Sequence, residues 1–86
     1  MKWYVYIVQC KDGSLYTGIT LDVVRRVKEH NEDDAKGAKS LRGKRPVKLV
    51  YFEEYNNQSE ARKREAGIKN WKREYKLKLI MKGMDL

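Results

Sequence analysis

The chain has 86 residues, with 20 Lys and Arg against 12 Asp and Glu, a formal net charge of +8 and a single cysteine. That length carries one domain, residues 1–86, whose thin core excludes a deep, dry substrate pocket and puts any site at or near the surface. A lone cysteine excludes an internal disulfide scaffold and a cysteine-built zinc finger.

Trp3 to Cys10 is β-branched or aromatic at nearly every position, the pattern of a central strand covered on both faces. Its apolar run is far too short to cross a bilayer and no small-residue cleavage pattern follows, so a cytoplasmic protein with no membrane partner is expected. Lys11-Asp12-Gly13 signals a turn and Ser14 to Ile19 resumes strand character, which predicts a β-hairpin. From Asp22 the pattern becomes helical, with Val23 and Val27 four apart and Asp22 placed to cap the N-terminus. Asn31 to Asp34 ends that helix. Ala35 to Lys48 holds two glycines, the only proline and no apolar periodicity, and reads as a long basic loop.

A third strand follows over Val47 to Tyr55. Asn57 or Ser59 can cap a last helical region in which Ile68, Trp71 and Tyr75 fall on one stripe. Gly67 is a point where this helix can loosen or split, and Leu77, Ile80 and Met84 carry an apolar face onward. The order β-β-α-β-α-α predicts an α+β fold, a small three-stranded antiparallel sheet flanked by helices.

The cations cluster. Lys36, Lys39, Arg42, Lys44, Arg45 and Lys48 lie in the loop, and Arg62, Lys63, Arg64, Lys69, Lys72, Arg73, Lys76 and Lys78 in the last helical region, fourteen of the twenty. Two like-signed runs in a chain with six Tyr and two Trp suit a nucleic acid, whose neutralised phosphates release counterions. A solvated helix face is the other use of such a run.

Hairpin parity decides which side chains act together. A two-residue loop at Asp12-Gly13 sends Tyr6 and Tyr16 to opposite faces. A three-residue loop with Gly13 left-handed pairs Tyr6 with Gly18 and Val8 with Tyr16, puts both phenols on one face and leaves space beside Tyr6. On the next helix Arg26 and His30 are four apart on one side, with Arg25 and Glu29 paired on a neighbouring face. Glu65 lies beside the apolar stripe of the later helix, as an ion-pair partner or a metal ligand.

Tyr4-Val5-Tyr6, with Tyr16-Thr17-Gly18 ten residues on, resembles the two elements that name the GIY-YIG nuclease superfamily. Arg26 and His30 fall where that family carries its helix arginine and histidine, and Glu65 in Ala61-Arg62-Lys63-Arg64-Glu65 is similar to its metal-binding glutamate. The resemblance covers the whole chain. Lys36-Gly37-Ala38-Lys39, Arg42-Gly43-Lys44-Arg45-Pro46-Val47 and Arg64-Glu65-Ala66-Gly67-Ile68-Lys69 further resemble its small stand-alone bacterial branch. Ile19 departs from the lysine that excision-repair members carry just after the second element.

The resemblance implies hydrolysis of DNA phosphodiester bonds with one divalent metal, Mg²⁺ or Mn²⁺, on Glu65, in DNA repair or the processing of structured DNA. It implies that Arg26 meets the scissile phosphate and that Tyr16 positions or deprotonates the attacking water. Tyr6 would hydrogen-bond around the nucleophile, and His30 would orient Tyr16 or contact the phosphate. Lys36, Lys39, Arg42, Lys44, Arg45 and Lys69 are the candidate DNA contacts, made to the backbone with little sequence preference. Specificity is then expected from DNA shape or a protein partner. The alternative is a nucleic-acid-binding module that keeps the nuclease fold with little or no turnover.

Overall fold

The computed structural model describes residues 1–84. Its elements are strands β1 (Trp3–Gln9) and β2 (Leu15–Thr20), helix α1 (Val23–Glu32), a 3-10 helix (Lys39–Lys44), strand β3 (Lys48–Tyr55), and helices α2 (Gln58–Lys69) and α3 (Arg73–Met84). β1 pairs antiparallel with both other strands, giving the order β2-β1-β3. The expected three-stranded α+β fold is the one observed.

The central place of β1 follows from its lack of a polar face. Val5 and Ile7 point to one side and form a buried cluster with Ala61 and Ile68 of α2 and Ile80 of α3. Tyr6 and Val8 point to the other and are buried with Cys10, Leu41 and Val47, against Val23 and Val27 of α1. The sheet therefore separates α2 and α3 from α1 and the 3-10 helix.

The turn has the three-residue form. The Cys10 amide donates to the Ser14 carbonyl at 2.8 Å, the Gly13 amide donates to the Cys10 carbonyl at 2.9 Å, and Gly13 has φ +87°. Tyr6 consequently faces Gly18 and Val8 faces Tyr16. Asp22 caps α1 by accepting the Arg25 amide at 3.1 Å, and Asn57 caps α2 by accepting the Glu60 amide at 2.9 Å.

Three readings of the sequence need correction. The segment from Ala35 to Lys48 is not an irregular loop: it contains the 3-10 helix, and Leu41 and Val47 are buried in the core. A 3-10 turn this short has no apolar period to detect. The last helical region splits, but not at Gly67, which stays inside α2. It splits at Asn70, where the Asn70 and Trp71 amides donate to the carbonyls three residues back, at 3.2 and 3.0 Å, and tighten the final turn. Trp71 then turns back onto the apolar cluster, with the Arg64 guanidinium 5.1 Å from its ring centre. The break carries Tyr75 off the Ile68 stripe, leaving it 51% exposed, and Leu79 packs against the cluster with Ile80 while Leu77 is exposed. The Met84 side chain lies outside the described residues.

A polar clamp fastens α2 to β3. Arg64 grips Glu53 with Nε to Oε1 at 2.7 Å and Nη2 to Oε2 at 3.1 Å, while the Tyr51 and Tyr55 hydroxyls donate to the same carboxylate. Burial pushes the Glu53 carboxyl up, and these donors override it and hold it below its ordinary value.

Candidate active site

The site is assembled on the α1 face of the sheet, around a phenol with almost no solvent contact. Tyr6 lies with its hydroxyl over Gly18, where an added Cβ would stand 2.6 Å from Oη and 2.8 Å from Cζ. Tyr16, two residues before Gly18, is half-buried on the same face, its ring centre 6.4 Å from that of Tyr6.

His30 is fully buried and spends both ring nitrogens on the protein. Its Nδ1 accepts the Ala38 amide at 3.1 Å, and its Nε2 lies 2.7 Å from Tyr6 Oη. A backbone amide can only donate, so Nδ1 is unprotonated and the neutral ring carries its proton on Nε2. That proton is donated to Tyr6 Oη, which leaves the Tyr6 hydroxyl proton for a further acceptor. Burial, reinforced by Arg26, pushes the His30 pKa down to about 4, so the ring is neutral at pH 7. Burial pushes Tyr6 up to about 12; the neighbouring Tyr16 and Glu65 charges add to this and Arg26 opposes it. The family resemblance implies that His30 orients Tyr16 or contacts the phosphate. Its hydrogen bond goes instead to Tyr6, and it meets Tyr16 only by edge-on ring contact at 5.4 Å.

Arg26 stands one helical turn before His30, beside the Tyr6 phenol. Its Nη1 donates to Glu29 Oε1 at 3.0 Å and to the Lys36 carbonyl at 2.6 Å, which pins the guanidinium from one end. Glu29 thus pairs more closely with Arg26 than with Arg25, the expected partner, which is 3.8 Å away.

Sequence reasoning missed the element that joins these two residues. Lys36 holds Arg26 through its carbonyl and Ala38 holds His30 through its amide, and between them the Gly37 amide donates to the Asp33 carbonyl at 2.8 Å. A Cβ on Gly37 would lie 2.6 Å from the Glu29 carbonyl oxygen and 2.7 Å from that of Asp33. The tripeptide was visible only as a family-like motif, because backbone atoms do its work.

Glu65 rises from α2, whose body covers the opposite face of the sheet from Tyr6. Its side chain is largely covered, and one oxygen lies 3.4 Å from the exposed Lys69 ammonium. That is a surface-type pair of small worth that a cation can displace. No three His, Cys, Asp or Glu side chains gather as a metal cage among the described residues. A single hard carboxylate next to an accessible surface fits Mg²⁺ or Mn²⁺, which keeps most of its water and takes phosphate oxygens as further ligands.

The candidate DNA contacts divide. Lys36, Lys39, Arg42 and Lys69 are exposed, although the Arg42 guanidinium also donates to the Asp34 carbonyl. Lys44 is half-buried near Asp12 at 3.8 Å. Arg45 is committed to the fold: it donates to the His30 carbonyl at 2.7 Å and to Asp34 at 2.8 Å.

A family model described as the GIY-YIG catalytic domain matches residues 2–78. A UPF0213 protein of Staphylococcus saprophyticus is 52% identical, over 95% of this chain and 98% of its own. A UPF0213 protein of Haloquadratum walsbyi is 53% identical over 96% and 91%. The solution NMR structure of a UPF0213 protein from Bacillus halodurans superposes with a TM-score of 0.61 at 45% identity, covering 96% of this chain and 87% of that one. No helix among the described residues is long and apolar enough to cross a membrane.

Proposed function

Because the chain belongs to the GIY-YIG family and carries its nuclease fold, we propose that residues 1–86 act as a metal-dependent endonuclease that hydrolyses DNA phosphodiester bonds. The observation that supports it is convergence: β1, β2, α1 and the Lys36–Ala38 segment meet around one phenol, with His30 Nε2 2.7 Å from Tyr6 Oη, the Tyr16 ring centre 6.4 Å from that of Tyr6, and Arg26 pinned on the Lys36 carbonyl one helical turn before His30.

Each residue has a role suited to its surroundings. Glu65 would hold the divalent metal, which when bound supplies positive charge to the phosphate oxygens. Arg26, anchored by Nη1, presents the rest of its guanidinium to the phosphate, where negative charge grows in the transition state. Tyr6 is held as a neutral phenol, so it acts as a hydrogen-bond donor rather than a base. His30 fixes which lone pair of Tyr6 is occupied and therefore where its proton points. Tyr16, the more accessible phenol, positions the attacking water. Lys36, Lys39, Arg42 and Lys69 hold the DNA backbone with little sequence preference. Such a site suits DNA repair or the processing of structured DNA, with a protein partner supplying specificity.

The test is nicking of supercoiled plasmid and branched DNA with Mg²⁺ or Mn²⁺, by the wild type, Glu65→Gln and Arg26→Ala. Both variants are expected to lose at least about 10²-fold in rate while retaining DNA binding. Binding without nicking by the wild type would sink the enzyme reading in favour of a binding module, and nicking that survives both substitutions would assign the activity to a contaminant.

A further inference from the structure

The break between α2 and α3 creates a second feature, on the side of the sheet away from Tyr6. Trp71, Tyr75, Lys78, Leu79 and Lys82 line a groove of about 490 Å³. Lys78, Leu79 and Lys82 follow three, four and seven residues after Tyr75 on one face of α3, and Trp71, in the break before that helix, lies at the same groove. Leu79 forms the floor, packed on the apolar cluster, and Trp71 is half-buried beside it. Tyr75 is half exposed, with the Lys78 ammonium 5.4 Å from its ring centre.

We propose that this groove binds unstacked bases of single-stranded nucleic acid. Two aromatic side chains supply apolar contact for a base, and the volume lies in the range of small-molecule pockets. The charge selects the occupant. From Lys69 to Gly83 the chain carries six cations and one acid, Glu74. A second copy of this chain would set like charges against each other, whereas a nucleic-acid strand brings one phosphate for each base. An arriving base takes the Tyr75 ring face from Lys78, whose ammonium swings to the phosphate, and Lys82 meets the next one. Trp71 contributes its edge, because Arg64 already lies over its ring. The proposal rests on the preceding reading only in taking nucleic acid as the ligand; it does not require cleavage.

The experiment is therefore run with EDTA. A Trp3→Phe background leaves Trp71 as the only tryptophan, and its emission is followed against octathymidylate, an abasic octamer of equal charge and inorganic polyphosphate. Octathymidylate is expected to quench Trp71 and to bind about tenfold or more tighter than the abasic octamer. Tyr75→Ala should abolish that preference without changing abasic binding, and Tyr75→Phe should keep it. Lys78→Gln with Lys82→Gln should weaken both octamers alike. Equal affinity for the two octamers, or octathymidylate binding with no change in Trp71 emission, overturns the groove. Capture of an acidic protein with no base preference does so as well. The base preference is read without metal, so loss of plasmid nicking alone counts against the nuclease reading and leaves the groove standing.

Discussion

Tyr6 and His30 share a 2.7 Å hydrogen bond across 24 residues of sequence, and both side chains are buried. The bond has a direction, because the Ala38 amide occupies the other ring nitrogen. One lone pair of the phenol is thereby occupied by a neutral imidazole, while the nearby Arg26 guanidinium opposes the rise in its pKa that burial causes.

Acid should reveal this arrangement. The unfolded His30 takes up a proton near pH 6.5, while the folded ring stays neutral down to about pH 4. Between those values the unfolded state binds more protons, so stability falls as pH falls, by about 1.4 kcal/mol per pH unit at most. Urea denaturation from pH 7 to pH 4.5 should show that slope, and His30→Gln should flatten it. An unchanged slope in His30→Gln would place the acid sensitivity elsewhere.

Gly18 tests the packing of Tyr6. An alanine Cβ would overlap the Tyr6 hydroxyl and ring carbon, which cannot move without leaving His30. Gly18→Ala is expected to cost about 1–3 kcal/mol in urea denaturation and to abolish nicking. Adding Tyr6→Phe removes the nearest atom and should restore part of the stability but none of the nicking.

Gly37 tests the anchor shared by Arg26 and His30. Its Cβ would meet two carbonyl oxygens of the α1 terminus, and backbone yields less readily than a side chain tip. Gly37→Ala should lower the nicking rate by at least about tenfold, with Lys36 and Lys39 still present to bind DNA. Turnover should fall while the apparent DNA affinity changes little. An equal loss in Lys36→Ala would mean that the Lys36 side chain, not the backbone, is responsible.

The clamp on the far side of the sheet should behave differently. Glu53→Gln leaves Arg64 without its charge partner and weakens both phenol bonds, and a loss of about 2 kcal/mol in urea denaturation is expected. The Lys69→Ala change removes only an exposed pair with Glu65 and should stay within about 0.5 kcal/mol of the wild type.

The sequence alone determined whatever rests on local period or turn chemistry. The residue types of β1 and the Lys11-Asp12-Gly13 turn signal made a hairpin legible, while the structure chose the three-residue form, with Gly13 left-handed, that puts Tyr6 opposite Gly18 and on one face with Tyr16. Asp22 announced the start of α1, Asn57 and Ser59 were the two candidates for that of α2, of which Asn57 is the cap, and a four-residue spacing put Arg26 and His30 on one side. Tertiary structure alone decided which partners those side chains took. The hydrogen bond of His30 went to Tyr6 because Ala38 reached its other nitrogen, and Arg26 was pinned by a carbonyl. The Ala38 amide and the Lys36 carbonyl are backbone groups that leave no residue-type signal, whereas the second anchor of Arg26, Glu29, lies within the same helix. The burial of Leu41, the break at Asn70 and the exposure of Tyr75 likewise depended on contacts made after the chain had folded back on itself. Residue types and spacings record what a segment prefers, whereas a site held by distant backbone groups exists only once the elements have packed.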